Sequence, residues 1–423
     1  MASPRSGAGP WPVPDPWSGA WVDTTGPKAG EGAGRSPRAC PTTELRAIAM
    51  MAVCLLGSAP AYGQAAPEPK PPMAEEVFKN VQVLKGIPVD EFMGTMGIFS
   101  AALGISCENC HAANDSSWEN YAADNTPKKR TARAMVGMMA AINKTYFAGR
   151  QVVTCFSCHR GGDHPRTTPE LDVIYGGNPS DELDDAVEQA PDAPSADQIL
   201  DKYIQAAGGA QRLAAITSFI AKGTSSGYGP ESAKRPIEIY AKAPAQRSMV
   251  IHTDNGDSTT TTDGRAAWIS APLRPVAVLP LSGGDLEGAK LDAALSFPGR
   301  VKQALGRWRS GAPSIIDDRR VQVVQGTTAG GSIATLYFDP ETGLLVRMRR
   351  YAASPVGRMP TQFDFSDYRD VAGVKMPFKW TMTWLDGREN VELSEVQPNV
   401  SIDAARFNKP APSAPPSVKP AAK

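Results

Sequence analysis

The five residues CENCH, at positions 107–111, are followed 48 residues later by CFSCH, at positions 155–159. Both stretches have the pattern Cys-x-x-Cys-His. Together they contain four of the six cysteines and two of the four histidines in the 423-residue chain. A pattern this specific, repeated among so few cysteines, indicates a shared chemistry rather than chance.

The composition is that of an ordinary globular protein. Hydrophobic residues make up 41% and charged residues 21%, and 44 basic side chains balance 44 acidic ones. The length predicts two or three domains. The balanced charge gives no support for nucleic-acid binding, so we expect no nucleic-acid partner.

The N-terminal sequence predicts export. Residues 1–45 are rich in Gly, Pro and Ser, and we expect them to be disordered or to precede the true start, because Met50 and Met51 lie downstream. Residues 46–66 combine a basic residue, a short apolar run and small residues, which is the pattern of a secretory signal peptide; a buried helix is the alternative for this run. Cleavage there removes Cys40 and Cys54 and leaves only the four motif cysteines. The predicted location is the periplasm, with membrane association left open.

In an exported protein, Cys-x-x-Cys-His is the attachment motif of c-type haem. The two thiols bond to the haem vinyl groups, and the adjacent histidine binds the iron. The sequence therefore predicts two covalently attached haems. The predicted residues are Cys107, Cys110 and His111 for the first haem, and Cys155, Cys158 and His159 for the second.

Two other chemistries fit the motifs less well. Zinc sites usually separate their cysteine pairs by about 15–20 residues, whereas 44 residues lie between Cys110 and Cys155. Two local dithiol redox pairs leave the repeated histidine unexplained.

A helix with methionines precedes each motif. Residues 89–103 have helical periodicity, with Gly104 as the C-terminal stop, and the second helix begins at Thr126 and Pro127. The large apolar residues of the first helix form a predicted stripe of Phe92, Met96, Phe99 and Leu103. A methionine on either helix can occupy the far side of the iron and favour electron transfer over ligand chemistry. From spacing alone, the candidates are Met93, Met96, Met135, Met138 and Met139.

The residues around both motifs carry a family resemblance. MGIFSAALGISCENCHAANDSSW (96–118), TPKKRTARAMVGMMAAINKTYF (126–147) and VTCFSCHRG (153–161) resemble the photosynthetic reaction centre cytochrome c subunit family over residues 75–165. The resemblance implies methionine ligands at Met96, eleven residues before the first cysteine, and at Met135, which closes an Ala-Arg-x-Met run. Met93 and Met138 stay open as alternatives. Only two of the family's four motifs are present, and Gly149 stands where the family has a further haem-binding histidine.

The rest of the chain has a different pattern. Residues 166–195 are acidic and predict a linker, and residues 410–423 predict a disordered tail. Residues 196–409 predict two short helices separated by Gly208-Gly209, then a large, curved antiparallel sheet with covering helices. Strands with period-two alternation are predicted at 235–243, 246–253, 319–326, 332–339, 344–352 and 378–385. The run DFSDYRDVAGVKMPFKW (364–380) resembles a hairpin of the lipoprotein-carrier half-barrel family, which implies a concave face for an apolar ligand.

Taken together, these features predict a multidomain protein with a mainly α dihaem cytochrome c domain followed by an antiparallel β half-barrel. The predicted function is to carry single electrons, without enzymatic activity, between redox partner proteins such as a membrane reaction centre or a respiratory complex. Two alternatives stay open. One is a haem enzyme or sensor with one open iron site, and the other is a protein that binds a hydrophobic ligand and uses the haem module as a redox-active part.

Overall fold

The computed structural model describes residues 70–111, 118–165, 167–168, 187, 189–227, 233–272 and 274–412. The predicted disordered N-terminus, the predicted signal peptide and most of the predicted linker and tail lie outside these residues. The domain boundaries stay predictions. No helix in the described ranges combines the length and the apolar character needed to cross a membrane.

The described part opens with helices. They are α1 (Ala74–Val77), α2 (Val89–Leu103), α3 (Pro127–Tyr146) and α4 (Cys155–His159), with short 3-10 helices at Cys107–Asn109 and Trp118–Ala122. The predicted bounds of α2 are confirmed, and α2 ends at Gly104, whose φ of 63° is the left-handed conformation that favours glycine. The predicted start of α3, with Thr126 before the helix and Pro127 as its first residue, is also confirmed.

The buried face of α2 differs from the predicted stripe. The large side chains of that stripe are only half-buried. The buried residues of α2 are Val89, Asp90, Thr95, Gly97, Ile98 and Ala102. Three residues of the stripe, Phe92, Met96 and Phe99, pack against a hydrophobic cluster that includes residues of the sheet. Helix α2 also meets the sheet through a small residue, since a Cβ on Gly94 would overlap the side chain of Met359.

The remaining chain forms one 14-stranded antiparallel sheet. The strands are β1 (Ser218–Ser226), β2 (Arg235–Lys242), β3 (Gln246–Thr253), β4 (Gly256–Thr262), β5 (Ala267–Ser270), β6 (Val278–Pro280), β7 (Gly306–Ser310), β8 (Ser314–Ile316), β9 (Arg319–Thr327), β10 (Ile333–Phe338), β11 (Leu345–Ser354), β12 (Gly357–Val371), β13 (Val374–Trp384) and β14 (Gly387–Pro398). The six predicted strands are confirmed as β2, β3, β9, β10, β11 and β13.

The strand order shows how the sheet is assembled from two parts of the chain. It runs β6-β5-β4-β3-β2-β1-β14-β13-β12-β11-β10-β9-β7, with β8 paired to β9. The pairing of β1 with β14 joins two meanders into one surface. Apart from β7 and β9, neighbours within each meander follow directly in sequence, so short connections can join most of them, as expected for an antiparallel sheet.

Four helices cover one face of the sheet. They are α5 (Ala196–Ala206), α6 (Ala210–Ala215), α7 (Gly283–Leu295) and α8 (Val301–Ala304). Helix α7 contacts both β3 and β11. These strands lie six positions apart in the order, which is about 29 Å in a flat sheet at about 4.8 Å per strand. A single helix, about 10–12 Å across, touches both, so the sheet curves around α7.

The helical segment and the sheet share a hydrophobic cluster. Its buried residues are Leu84, Ile98, Val136 and Met139 from the helical segment, and Ala352, Val356 and Met359 from β11, β12 and the turn between them. A polar contact lies beside it. Asp90 at the start of α2 accepts hydrogen bonds from the backbone nitrogen and the hydroxyl of Ser282, the residue that precedes α7. The segment that carries both motifs therefore packs on the sheet.

Candidate functional site

The first Cys-x-x-Cys-His motif lies in a tight turn directly after α2. Cys107–Asn109 form a 3-10 helix, and Asn109 accepts a hydrogen bond from the backbone nitrogen of Ser106 at 3.0 Å. Thr126 does not cap α3 with its side chain; its hydroxyl instead donates to the carbonyl of Cys110 at 2.6 Å. The start of α3 is thereby tied to the end of the first motif.

The ring of His111 is held by the chain ten residues further on. Its Nδ1 lies 2.9 Å from the carbonyl oxygen of Tyr121, and the two rings stack with centroids 4.7 Å apart. Burial lowers the pKa of His111, although the Tyr121 carbonyl acts in the opposite direction. A neutral ring held through Nδ1 presents Nε2 on its opposite side, which is the usual arrangement of a metal-binding histidine.

The second motif forms the short helix α4. Thr154 precedes it and caps it, accepting from the backbone nitrogen of Ser157 at 3.3 Å while its own nitrogen donates to the Ser157 hydroxyl at 3.0 Å. His159 Nδ1 lies 3.0 Å from the carbonyl oxygen of Gly162. Both motif histidines are therefore oriented in the same way, by a backbone carbonyl at Nδ1.

The four motif cysteines form no disulfide bonds. Cys107 and Cys158 are exposed, whereas Cys110 and Cys155 are half-buried, and burial raises the pKa of each of the latter two. In the part of the chain that the structure describes, no three histidine, cysteine or acidic side chains converge on a common point. The two cysteine pairs thus do not come together as a four-thiolate zinc site.

Asn143 fixes the segment that leads into the second motif. It is buried on α3, and its amide nitrogen donates to the carbonyl of Val153 at 2.7 Å. Its side-chain oxygen accepts from the backbone nitrogens of Val152 and Val153, at 3.1 and 2.9 Å. One side chain therefore pairs three backbone groups just before Cys155.

The two motif units touch through glycines. The backbone nitrogen of Gly161, just after the second motif, donates to the carbonyl of Ala102 near the end of α2, at 2.9 Å. A Cβ on Gly104 would overlap the carbonyl oxygen of Gly161. Gly104 before the first motif and Gly161 after the second are therefore parts of one contact.

The two methionines expected to bind iron differ in their exposure to solvent. Met96 is half-buried and packs against the shared hydrophobic cluster defined above. Met135 lies on the exposed side of α3, with 40% of its surface accessible, and Met138 is 50% accessible. Met139 is buried in the cluster. Met93 is half-buried. Iron ligation by Met96 and Met135 stays a prediction.

Large apolar side chains are exposed around the motifs. In the described part of the chain seven such residues are exposed, and all but Ile315 belong to the helical segment. The six are Val83, Met135, Met138, Tyr146, Val152 and Phe156. Exposed apolar side chains in the segment that carries the motifs are suited to contact an apolar cofactor. Together with the paired thiols and the oriented imidazole of each motif, they fit covalently bound haem, whose iron supplies one-electron redox chemistry.

A basic cluster fixes the loop that carries Tyr121. Lys129 donates to the carbonyls of Tyr121 and Ala123, at 2.5 and 2.8 Å. Arg133 donates a hydrogen bond to the carboxylate of Asp124 at 2.8 Å. Hydrogen bonds from Arg133 and Asn80 lower the pKa of Asp124 to about 2. Helix α3 thereby holds the carbonyl that orients His111.

Sequence reasoning found the thiols and the imidazoles, and missed the groups that position them. Tyr121 and Gly162 act through backbone carbonyls, which leave no mark in a residue pattern. Among the positioning residues, two could be found from the sequence. Thr126 was marked as the start of a helix, and Asn143 lies in the segment that resembles the family.

A cavity of about 110 Å³ lies between the sheet and its covering helices. Aromatic and aliphatic side chains line most of it, including Phe363, Phe365 and Trp380, and Arg247 and Asp292 provide a charged end. Its volume is below the roughly 300–1,000 Å³ of typical small-molecule sites. The predicted apolar concave face is therefore present but largely filled.

Comparison with known proteins separates the two parts of the chain. Residues 45–173 match the family model of the photosynthetic reaction centre cytochrome C subunit. The photosynthetic reaction center cytochrome c subunit of Thermochromatium tepidum is 35% identical over 99 residues, which are 22% of this chain and 23% of that protein. The subunit of Rubrivivax gelatinosus is 34% identical over 99 residues, 22% of this chain and 25% of that protein. The chain thus spans about a quarter of the length of the curated relatives it matches.

Solved structures match about half of the chain. A LolA superfamily protein from Nitrosomonas europaea has 15% identity and a TM-score of 0.36, covering 51% of this chain and 99% of that one. A putative outer membrane lipoprotein-sorting protein domain from Vibrio parahaemolyticus has 12% identity and a TM-score of 0.35, covering 50% and 97%. Both TM-scores are below 0.5. Over residues 45–173, where both Cys-x-x-Cys-His motifs lie, the chain is similar to the photosynthetic reaction centre cytochrome c subunit, and this predicted resemblance is confirmed.

Proposed function

We propose that this protein is an exported dihaem c-type cytochrome that carries single electrons between redox partner proteins. The first haem is held by Cys107, Cys110 and His111, and the second by Cys155, Cys158 and His159. Met96 and Met135 are the proposed ligands on the opposite faces of the iron. Partners of the matching chemistry are a membrane reaction centre or a respiratory complex, which supply or accept one electron at a time.

The observation that carries this proposal is the shared orientation of the two motif histidines. Each ring is held at Nδ1 by a backbone carbonyl, from Tyr121 in one case and from Gly162 in the other. A histidine held this way keeps its ring plane and its neutral tautomer, and both favour binding of iron through Nε2. The cysteine thiols four positions and one position before each histidine supply the covalent attachment.

Two matched double variants test the assignment of the haems. Cys107→Ala with Cys110→Ala should remove one haem, and Cys155→Ala with Cys158→Ala should remove the other, so each variant should show half of the wild-type haem absorbance per protein. The reduced wild-type protein should not bind carbon monoxide, because a methionine closes each iron. Full absorbance in either variant would contradict the attachment sites, and carbon monoxide binding would support the enzyme or sensor alternative.

A second candidate function is binding of an apolar ligand by the sheet. The cavity beneath α7, with its aromatic walls and the charged side chains of Arg247 and Asp292 in its lining, favours it. The small volume restricts the ligand to a small molecule or requires α7 to move. Organic extraction of the purified protein followed by mass spectrometry tests this candidate. A stoichiometric apolar molecule supports it, and an extract free of such molecules contradicts it.

A further inference from the structure

The turn between β11 and β12 reaches into the segment that carries the haem motifs. Val356, in the middle of this turn, has none of its surface exposed. It belongs to the shared hydrophobic cluster with Ile98 of α2 and with Val136 and Met139 of α3. Cys155, the first thiol of the second motif, packs against the same cluster.

Polar and close contacts add to this packing. Gln151 donates from its side-chain nitrogen to the carbonyl of Ser354 at 2.9 Å. A Cβ placed on Gly357 would lie in ordinary van der Waals contact with the side chain of Thr154, which caps α4. The hairpin tip, defined as residues 354–357, thus lies against residues 151–155, the segment that leads into the second motif.

Residues 151–155 therefore lie between two supports. On one side Asn143 of α3 pairs the backbone of Val152 and Val153. On the other side the hairpin tip supplies a buried apolar side chain and a hydrogen-bond acceptor. A segment held on both sides keeps its cysteine and its helix cap in one geometry, and rigid support around a metal site controls the environment of that metal.

We infer that the hairpin tip 354–357 is a positioning element for the second haem, and that Val356 and Gln151 are its positioning residues. This inference rests on the proposed function, since it concerns how that haem is held. The sheet is then more than an attached domain, because one of its turns sets the surroundings of a redox centre. The contacts of the first motif with Thr126 and Tyr121 involve no residue of the tip.

The expected consequence is a change of potential at one haem only. Ferric haem carries one more positive charge than ferrous haem, and water stabilises the more charged form. A loosened tip admits water beside Cys155 and should therefore lower the midpoint potential of the second haem, because solvent exposure is one of the determinants of haem potential. The first haem should keep its potential.

The test compares Val356→Ala with Val374→Ala in the full-length protein. Val374 is also buried, with 1% of its surface exposed, but it is the first residue of β13 and pairs with Val371 at the far end of β12. Redox titrations followed by visible absorbance resolve the two haems, and the Cys155→Ala, Cys158→Ala protein identifies the component that belongs to the first haem. We expect the midpoint potential of the second haem to be lower in V356A than in the wild type, and unchanged in V374A. The intact mass of both variants should show that each still carries two haems.

Several outcomes overturn the inference. They are unchanged potentials in V356A, an equal shift of both haems, or the same shift in V374A. Should V356A fail to accumulate, Gln151→Leu takes its place, because it removes only the hydrogen bond to Ser354. Gln151→Leu should lower the same potential by a smaller amount, and no shift in that variant also overturns the inference. A wild-type mass without haem would instead contradict the proposed function, so the two failures are distinguishable.

Discussion

At the scale of single residues, Asn143 shows how one side chain can organise a cofactor site from a distance. Its amide pairs three backbone groups of Val152 and Val153, and it does so from a buried position on α3. Asn143→Ala leaves those groups without this partner and should destabilise the folded protein by about 2 kcal/mol. Lys144→Ala, at the exposed neighbouring position, should change stability by less than about 0.5 kcal/mol. Urea unfolding of both variants checks the difference, and equal stabilities would contradict the role of Asn143.

The methionines give a second prediction at the same scale. Met96→Leu and Met135→Leu keep the side-chain volume but remove the sulfur, so each should lower the potential of one haem and open its iron to carbon monoxide. Met93→Leu and Met138→Leu are the matched controls and should bind no carbon monoxide. Carbon monoxide binding in Met93→Leu but not in Met96→Leu would identify Met93 as the iron ligand in place of Met96. The same result for Met138→Leu and Met135→Leu would identify Met138 in place of Met135.

Asp124 predicts a pH dependence. Its pKa falls from about 3.9 in an unfolded chain to about 2 in the folded protein, chiefly because Arg133 donates hydrogen bonds to its carboxylate. A depressed pKa stabilises the fold fully above about pH 4–5, and that contribution is lost as pH falls from there toward 2. The stability difference between wild type and Asp124→Asn should therefore narrow when urea unfolding is repeated at pH 6, 4 and 3. A difference that stays constant over this range would argue against the ion pair.

At the scale of elements, the contact between α2 and the end of the second motif depends on a glycine. Gly104 has φ of 63° and lies against the carbonyl of Gly161, whereas Gly149 has φ of 80° and open space around it. Gly149→Ala should cost about 1 kcal/mol, from backbone strain alone. Gly104→Ala should cost roughly 2–4 kcal/mol, because overlap with the Gly161 carbonyl is added. Equal losses of thermal stability in the two variants would show that the contact is absent.

The elements also show what local sequence can predict. Periodicity and end signals were sufficient for α2, for the start of α3 and for six strands, because these depend on neighbours within a few residues. The close contact of Gly94 on α2 was not predictable, since its partner Met359 lies more than 250 residues away. Likewise the motif histidines could be predicted from the pattern, but not the backbone carbonyls that orient them.

At the scale of the whole molecule, the haem-motif segment and the sheet form one packed unit. Ala352, Val356 and Met359 of the sheet complete a cluster whose other buried members come from the helical segment. Asp90 of α2 also binds Ser282 at the start of α7, the helix that covers the cavity. The two-motif segment spans about a quarter of the relatives it matches, and here an antiparallel sheet supplies part of its core.

The central claim is that this unit carries two haems joined to the chain by thioether bonds. The most direct measurement is the intact mass of the protein after denaturation, when it is produced in cells with a working haem-attachment system. The predicted mass exceeds that of the processed polypeptide by the mass of two haem groups. Both haems should stay attached after denaturation, because thioether bonds hold them even when the histidine and methionine ligands have left the iron. A mass equal to that of the polypeptide alone, or with a single haem, would contradict the account.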